Sequence, residues 1–332
     1  MTALSDTVPF WQISRQSLTL LDKNMNTIPT DYRIHGGTPW WVYCIKLLED
    51  GLPKFKGKGK LLSLTRRYVA RKRSVFPWQM KNLSTIGIST GDLLGRCGVG
   101  WTCFCTGSWE PHVEGCLRTL IKQDDIVLDI GANIGYFTSV MDECVGSGGK
   151  VYAFEPVPDT FAQLKSTIAY NNNGNSYPFQ IALGEIADNK KITYNPELSG
   201  NASLHREPTA NTREVSVSIE TIDSLFENGL LGKCQLIKID VEGHEMSVFR
   251  GGSKYLKQCR PIVIYEFNRD TAAAAGYTLN EIQAEIDSWG GDYQHFLIWE
   301  RGCLMEVDMK SINVPDGCYA DFVAIPRTHT SL

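Results

Sequence analysis

The sequence predicts an α/β fold, with a mostly parallel sheet covered by helices on both faces. Three observations predict it. First, continuous apolar runs recur along the second two thirds of the chain: IVLDI (126–130), VYAFE (151–155), QLIKID (235–240) and PIVIYEF (261–267). Such runs suit strands buried on both faces. Second, helical spacing lies between them, over 158–172, where Phe161, Leu164 and Ile168 share a face, and over 243–257 and 278–289. Third, Asp129, Glu155, Asp240 and Glu266 each stand at or just past the last apolar residue of a strand. Right-handed crossovers bring such residues to one edge of the sheet, where ligands bind in doubly wound folds.

The remaining elements follow in order. YPFQIAL (177–183) reads as a third strand, and VSVSIETI (215–222) as a strand with one solvated face. YQHFLIW (293–299) and ADFVAIP (320–326) complete the set, and Gly251-Gly252 is a natural stop for the helix before it. The alternating pattern starts near residue 111, so 111–332 reads as one domain and 1–110 as an N-terminal region without a fold assignment. With 42% hydrophobic and 21% charged residues, the composition is that of a globular protein. The net charge of −4 conceals a local excess, because residues 51–91 hold ten Lys or Arg and no acid. That stretch is either a solvated basic segment or a docking surface for phosphate, nucleic acid or anionic lipid. No apolar run has the length of a membrane span, and 8–21 is interrupted by Arg15, unlike a secretory leader. A cytoplasmic protein with reduced cysteines is the expectation. Cys97, Cys103, Cys105, His112 and Cys116 are close enough in sequence to be zinc ligands, although they lack paired C-x2-C knuckles.

The turn Asp129-Ile-Gly131-Ala-Asn133-Ile-Gly135 leads from the first strand into a helix. Glycines at 131 and 135 would let a ligand approach the backbone. Their spacing is not the G-x-G-x-x-G of dinucleotide binders, which disfavours a nicotinamide oxidoreductase. An acid at the head of the turn repels a pyrophosphate and suits a ligand carrying an ammonium and a sulfonium. Glu155 ends the next strand, where a carboxylate can accept from both hydroxyls of a ribose, and Pro156 stiffens the turn after it. In LIKIDVEGHE (236–245), Lys238 and Asp240 project to the same face, so a paired lysine is expected. The density of ionisable groups there, Lys238, Asp240 and His244, with Glu266 on the next strand, marks a candidate catalytic edge. Asp240, Glu266 and Asn268 also form an oxygen-rich set that could hold Mg2+ or Mn2+, against the reading in which they hydrogen-bond substrate directly.

These residues resemble the FkbM-type family of S-adenosylmethionine-dependent methyltransferases. The resemblance runs through DIGANIGYF (129–137), YAFEP (152–156), IALG (181–184), NASL (201–204), EVSVSIETIDSL (214–225), KIDVEGHE (238–245), RPIVIYE (260–266) and DFVAIP (321–326). It implies a Rossmann-like class I methyltransferase fold, seven-stranded with one antiparallel strand. It also implies cofactor contacts from Asp129, Gly131, Asn133, Gly135, Glu155, Pro156 and Asp240, with Ala182-Leu183 beside the adenine. Family members methylate hydroxyl oxygens, many on sugars or natural products, so an O-methyltransferase with a sugar, glycan or natural-product acceptor is expected. Asp240 and Glu266 would then take the acceptor proton or ligate a metal. Two alternatives stay open. One is an RNA ribose 2′-O enzyme using the basic stretch, with Tyr68, Phe76 and Trp78 as stacking platforms. The other is a nucleotide-binding module without turnover.

Overall fold

The computed structural model describes residues 108–171, 174–195, 212–290 and 292–327, together with Val99, Cys103 and three short strands. Those strands, β1 (Arg33–His35), β2 (Trp78–Lys81) and β3 (Gly87–Gly91), pair as a small antiparallel sheet. Most of the basic 51–91 stretch, Cys97, Cys105 and the NASL segment lie outside the described residues. Among the described residues, no helix is long and apolar enough to cross a membrane.

From residue 111 the chain alternates as its periodicity requires. It runs α1 (Pro111–Leu120), β4 (Ile126–Ile130), α2 (Tyr136–Val145), β5 (Lys150–Phe154), α3 (Pro158–Asn171) and β6 (Ser176–Phe179). An excursion follows through β7 (Ala182–Leu183), β8 (Asp188–Tyr194) and β9 (Arg213–Glu220). The chain then returns through α4 (Ile222–Glu227), β10 (Leu236–Ile239), α5 (Glu245–Gly251), α6 (Ser253–Cys259), β11 (Ile262–Asn268), α7 (Arg269–Ala275) and α8 (Leu279–Ser288). Finally come β12 (Tyr293–Ile298), β13 (Leu304–Glu306) and β14 (Tyr319–Pro326).

The main sheet has the order β13-β12-β14-β11-β10-β4-β5-β6. β11, β10, β4, β5 and β6 are parallel, and β14 inserts antiparallel between β11 and β12. This is the seven-stranded arrangement with one reversed strand that the resemblance implies. It carries an eighth strand, because β13 folds back on β12 and covers its free edge. On one face Leu117 of α1 and Val140 and Met141 of α2 pack against Leu236, Ile264 and Val323. On the other, Phe249, Leu256, Ile282 and Trp289 pack against Ile237, Val263 and Phe322. Burial on both faces is why these strands read as unbroken apolar runs.

Three expectations need correction besides the strand count. YPFQIAL is not one strand: β6 stops at Phe179, whose carbonyl accepts from Glu155 N–H, and Ala182-Leu183 crosses to a second sheet, β7-β9-β8. VSVSIETI belongs to that second sheet, which accounts for its solvated face. The helix expected over 243–257 starts at Glu245, because Glu242 and Gly243 are left-handed (φ +53 and +95). Gly251-Gly252 ends that helix as the sequence suggested, and a separate helix, α6, starts at Ser253. A Cβ at Gly251 would overlap the Gly184 carbonyl, so the helix ends where it touches the β7 turn.

Candidate active site

The turn after β4 is held by protein contacts on all sides. Gly131 and Ala132 both donate their N–H to the Phe154 carbonyl, at 3.0 and 2.9 Å, tying the turn to the end of β5. Gly131 has φ +85, and a Cβ there would overlap the Asp240 carbonyl. At Gly135 (φ +89), a Cβ would stand 2.8 Å from Leu164 Cδ1 of α3. The glycines are therefore required by neighbouring backbone and side chain, where the sequence suggested room for a ligand. Asn133 is also left-handed, and its side-chain oxygen accepts from Ile134 N–H at 2.8 Å.

Glu155 is the hub of this half. Its Oε2 accepts from Asn133 N–H at 3.1 Å and its Oε1 from Val157 N–H at 2.9 Å, across Pro156. One carboxylate thus fixes both loops, and each oxygen retains a lone pair for a further donor. Burial pushes its carboxyl up to about 7, against the two backbone donors, which favour the charged form. Asp129 is 0% exposed; Thr138 Oγ1 donates to its Oδ2 at 2.6 Å, and its Oδ1 has no hydrogen-bond partner. Burial raises its carboxyl too, with Lys238 opposing.

Lys238 lies beside Asp129 in the β10–β4 register and is only 3% exposed. Its Nζ donates to Asp240 Oδ2 at 3.1 Å and sits 4.7 Å from the centre of the Phe137 ring. Burial would lower the ammonium, but Asp240, Asp129 and Glu110 outweigh it and hold it above the usual lysine range. The lysine is thus the paired, structural cation that its apolar strand required.

A second group of acids gathers around the ends of β10, β11 and β14. Glu266 and Asp321 are direct partners across β11 and β14, so their side chains leave the sheet on the same side. Glu110, at the N-terminus of α1, stands within electrostatic reach of Asp240, Asp321 and Glu242. Burial and these neighbours push Glu110 up to about 8. Burial, then Asp240, Asp321, Glu110 and Glu242, push Glu266 up to about 10. Both therefore hold a proton near neutral pH and can donate a hydrogen bond. His112 Nε2 lies 2.7 Å from Asp321 Oδ2.

Of the residues expected from the sequence, the structure brings Asp129, Gly131, Asn133, Glu155, Lys238 and Asp240 together around the β4, β5 and β10 ends, with Glu266 one strand further. Gly135 points into the packing of α3. Ala182 and Leu183 are buried, each packed in a hydrophobic core cluster. His244 begins α5 half-buried, with its Nε2 against Gly184, away from Glu266. Glu245 is a fastening: its Oε1 accepts from Val241 and Gly243 N–H, and Tyr277 donates its hydroxyl to Oε2.

The metal expectation is not supported. Asn268 uses its side-chain oxygen to cap α7, accepting from Asp270 and Thr271 N–H at 3.1 and 3.3 Å. Among the described residues, no group of three or more His, Cys, Asp or Glu is arranged to hold a metal ion. Of the candidate zinc set, His112 pairs with Asp321 and Cys103 and Cys116 are buried, while Cys97 and Cys105 lie outside the described residues. Glu110, His112 and Asp321 were missed as a site group. Asp321 carried the one visible signal, an acid opening the otherwise apolar run ADFVAIP.

A sheet ordered in this way, with a glycine turn after its first strand and an acid after its second, defines the class I methyltransferases. Residues 129–293 match the methyltransferase FkbM domain model. Over 161 residues it is 32% identical to Methyltransferase 1 of Beauveria bassiana, covering 43% of this chain and 64% of that protein. It is 30% identical over 157 residues to the hexuronic acid methyltransferase AglP of Haloferax volcanii, covering 47% and 61%. It is 23% identical over 159 residues to the 31-O-demethyl-FK506 methyltransferase FkbM of Streptomyces tacrolimicus, covering 40% and 60%. The chain thus spans less than two thirds of the length of these relatives.

Proposed function

We propose that the chain is an S-adenosylmethionine-dependent O-methyltransferase acting on a hydroxyl of a sugar, glycan or natural-product acceptor. The observation that carries this reading is the alignment of Asp129, Glu155 and Asp240 on three adjacent strand ends around the Gly131 turn. That donor set fits the cofactor. Glu155 keeps a lone pair on each oxygen for ribose hydroxyls, and Asp129 keeps an unpartnered buried oxygen. The relatives named for a hexuronic acid and for a demethylated natural product support a hydroxyl-bearing sugar or natural-product acceptor and leave its charge open.

When bound, S-adenosylmethionine supplies the electrophilic methyl group. The chain must orient the acceptor oxygen in line with it and receive the hydroxyl proton as the oxygen–carbon bond forms. We assign that proton to Asp240, which is half-buried at the edge and fixed by Lys238. Glu266, holding its own proton near neutral pH, acts as a hydrogen-bond donor to the acceptor. No observation on the described residues favours the nucleic-acid reading, and the gathered acids would repel a phosphate backbone.

The test is methyl transfer from labelled cofactor to sugar, glycan and small-molecule acceptors, followed by mass spectrometry. A methylated product is expected, with Asp240→Asn binding cofactor normally and turning over at least about 100-fold more slowly. Glu155→Ala is expected to weaken cofactor binding at least tenfold by calorimetry, roughly the worth of one charge-assisted hydrogen bond. An Asp240→Asn enzyme at full rate would remove the base assignment, and unchanged affinity in Glu155→Ala would remove the ribose assignment.

A further inference from the structure

A cavity of about 520 Å³ lies between the first turn of α1, the end of β12 with the turn after it, and the start of β14. None of the residues assigned above to cofactor or to proton transfer lines it. It adjoins the acid group nonetheless, because Asp321 belongs to both. β12 runs parallel to β11, and β14 runs against both, so the end of β12 and the start of β14 reach the same edge as Asp240.

The walls are divided in chemistry. Trp299 and Tyr319 contribute aromatic surface that is partly open to solvent, at 38% and 53% exposure. The polar groups are His112, held 2.7 Å from Asp321, and Glu300. No Lys or Arg is among the described residues that line it.

We propose that this cavity is the acceptor subsite and that it selects an uncharged, sugar-like polyhydroxyl ring over rings bearing a carboxylate or phosphate. The inference rests on the methyltransferase reading above. An aromatic pair with a few convergent polar groups is the usual make-up of a site for a small ring, the faces taking its C–H surface. His112, Asp321 and Glu300 then hydrogen-bond its hydroxyls. An anionic ring would enter beside Glu300 and Asp321 with no Lys or Arg among the described lining residues to offset it, and like charges so placed oppose binding.

The test uses the full chain loaded with S-adenosylhomocysteine. Saturation-transfer NMR and calorimetry compare a panel of methyl hexopyranosides with the matching hexuronides. The neutral glycosides are expected to bind at least roughly tenfold more tightly. Trp299→Ala should abolish that binding and leave cofactor affinity intact. Glu300→Lys, a reversal at the exposed rim, should improve hexuronide binding roughly tenfold. The proposal is overturned if hexuronides bind as well as hexosides, if no hexoside binds in the millimolar range, or if Trp299→Ala changes nothing. Failure of the unaltered chain to bind cofactor would instead overturn the methyltransferase reading, and sugar binding is read separately from it.

Discussion

At the β4–β5 end of the edge, each acid is anchored by groups around it. Glu155 accepts from Asn133 and Val157 N–H, and Asp129 from Thr138. At the β10–β14 end the acids face one another instead. Asp240, Glu266, Asp321 and Glu110 share one lysine and one histidine, and two of them respond by keeping protons. The difference teaches what each half is built for. An anchored carboxylate offers a fixed acceptor to a ligand of known shape, as a cofactor requires. Crowded acids with adjustable protons suit a site where a proton changes hands.

The comparison can be broken hardest at the anchored half. Gly131→Ala should cost on the order of 3 kcal/mol or more, because a Cβ must displace the Asp240 carbonyl at a left-handed position. Urea unfolding measures it, and a near-neutral result would mean that the turn is looser than its contacts. Lys238→Met severs the one cation that both halves share. It should cost about 3 kcal/mol near pH 8 and less near pH 5, where protonation relieves the acids left behind. Equal losses at both pH values would show that the lysine matters only for packing.

The smallest expected effect lies in the crowded half. Glu266 is raised from 4.5 to about 10 on folding, so the unfolded chain releases its proton first as pH rises. Stability therefore falls with rising pH across that window, by at most roughly 1.4 kcal/mol per pH unit for one such group. Glu266→Gln should leave stability near pH 5 unchanged and raise it by about 1 kcal/mol near pH 8, after allowance for solvent screening. A variant less stable near pH 8 than the parent would show that Glu266 is ionised and compensated there.

The same division explains what could be read from the sequence. The anchored half lies within 129–157, and its glycines, acids and proline stand in two short motifs, 129–135 and 152–156, so local chemistry revealed it. The reason for the glycines was not local: Gly131 answers to Asp240 and Gly135 to Leu164, both distant in sequence. The crowded half draws on residues 110–112, 238–242, 266 and 319–321, which only the sheet order brings together. Asn268 was misread because a carboxamide at a strand end can serve as ligand or as helix cap, and only the N–H groups of Asp270 and Thr271 decide between them. The break in YPFQIAL was hidden for a similar reason, since Ala182-Leu183 pairs with a strand more than thirty residues later in the chain.

β14 follows β11 and β12 in the chain, yet it sits between them. During synthesis the Gly131 turn can close on Asp240 while β12 still lacks its neighbour. Tyr319 and Asp321 reach the edge only when β14 occupies the slot between β11 and β12. The wall that would meet the acceptor therefore depends on a strand made after both of its neighbours.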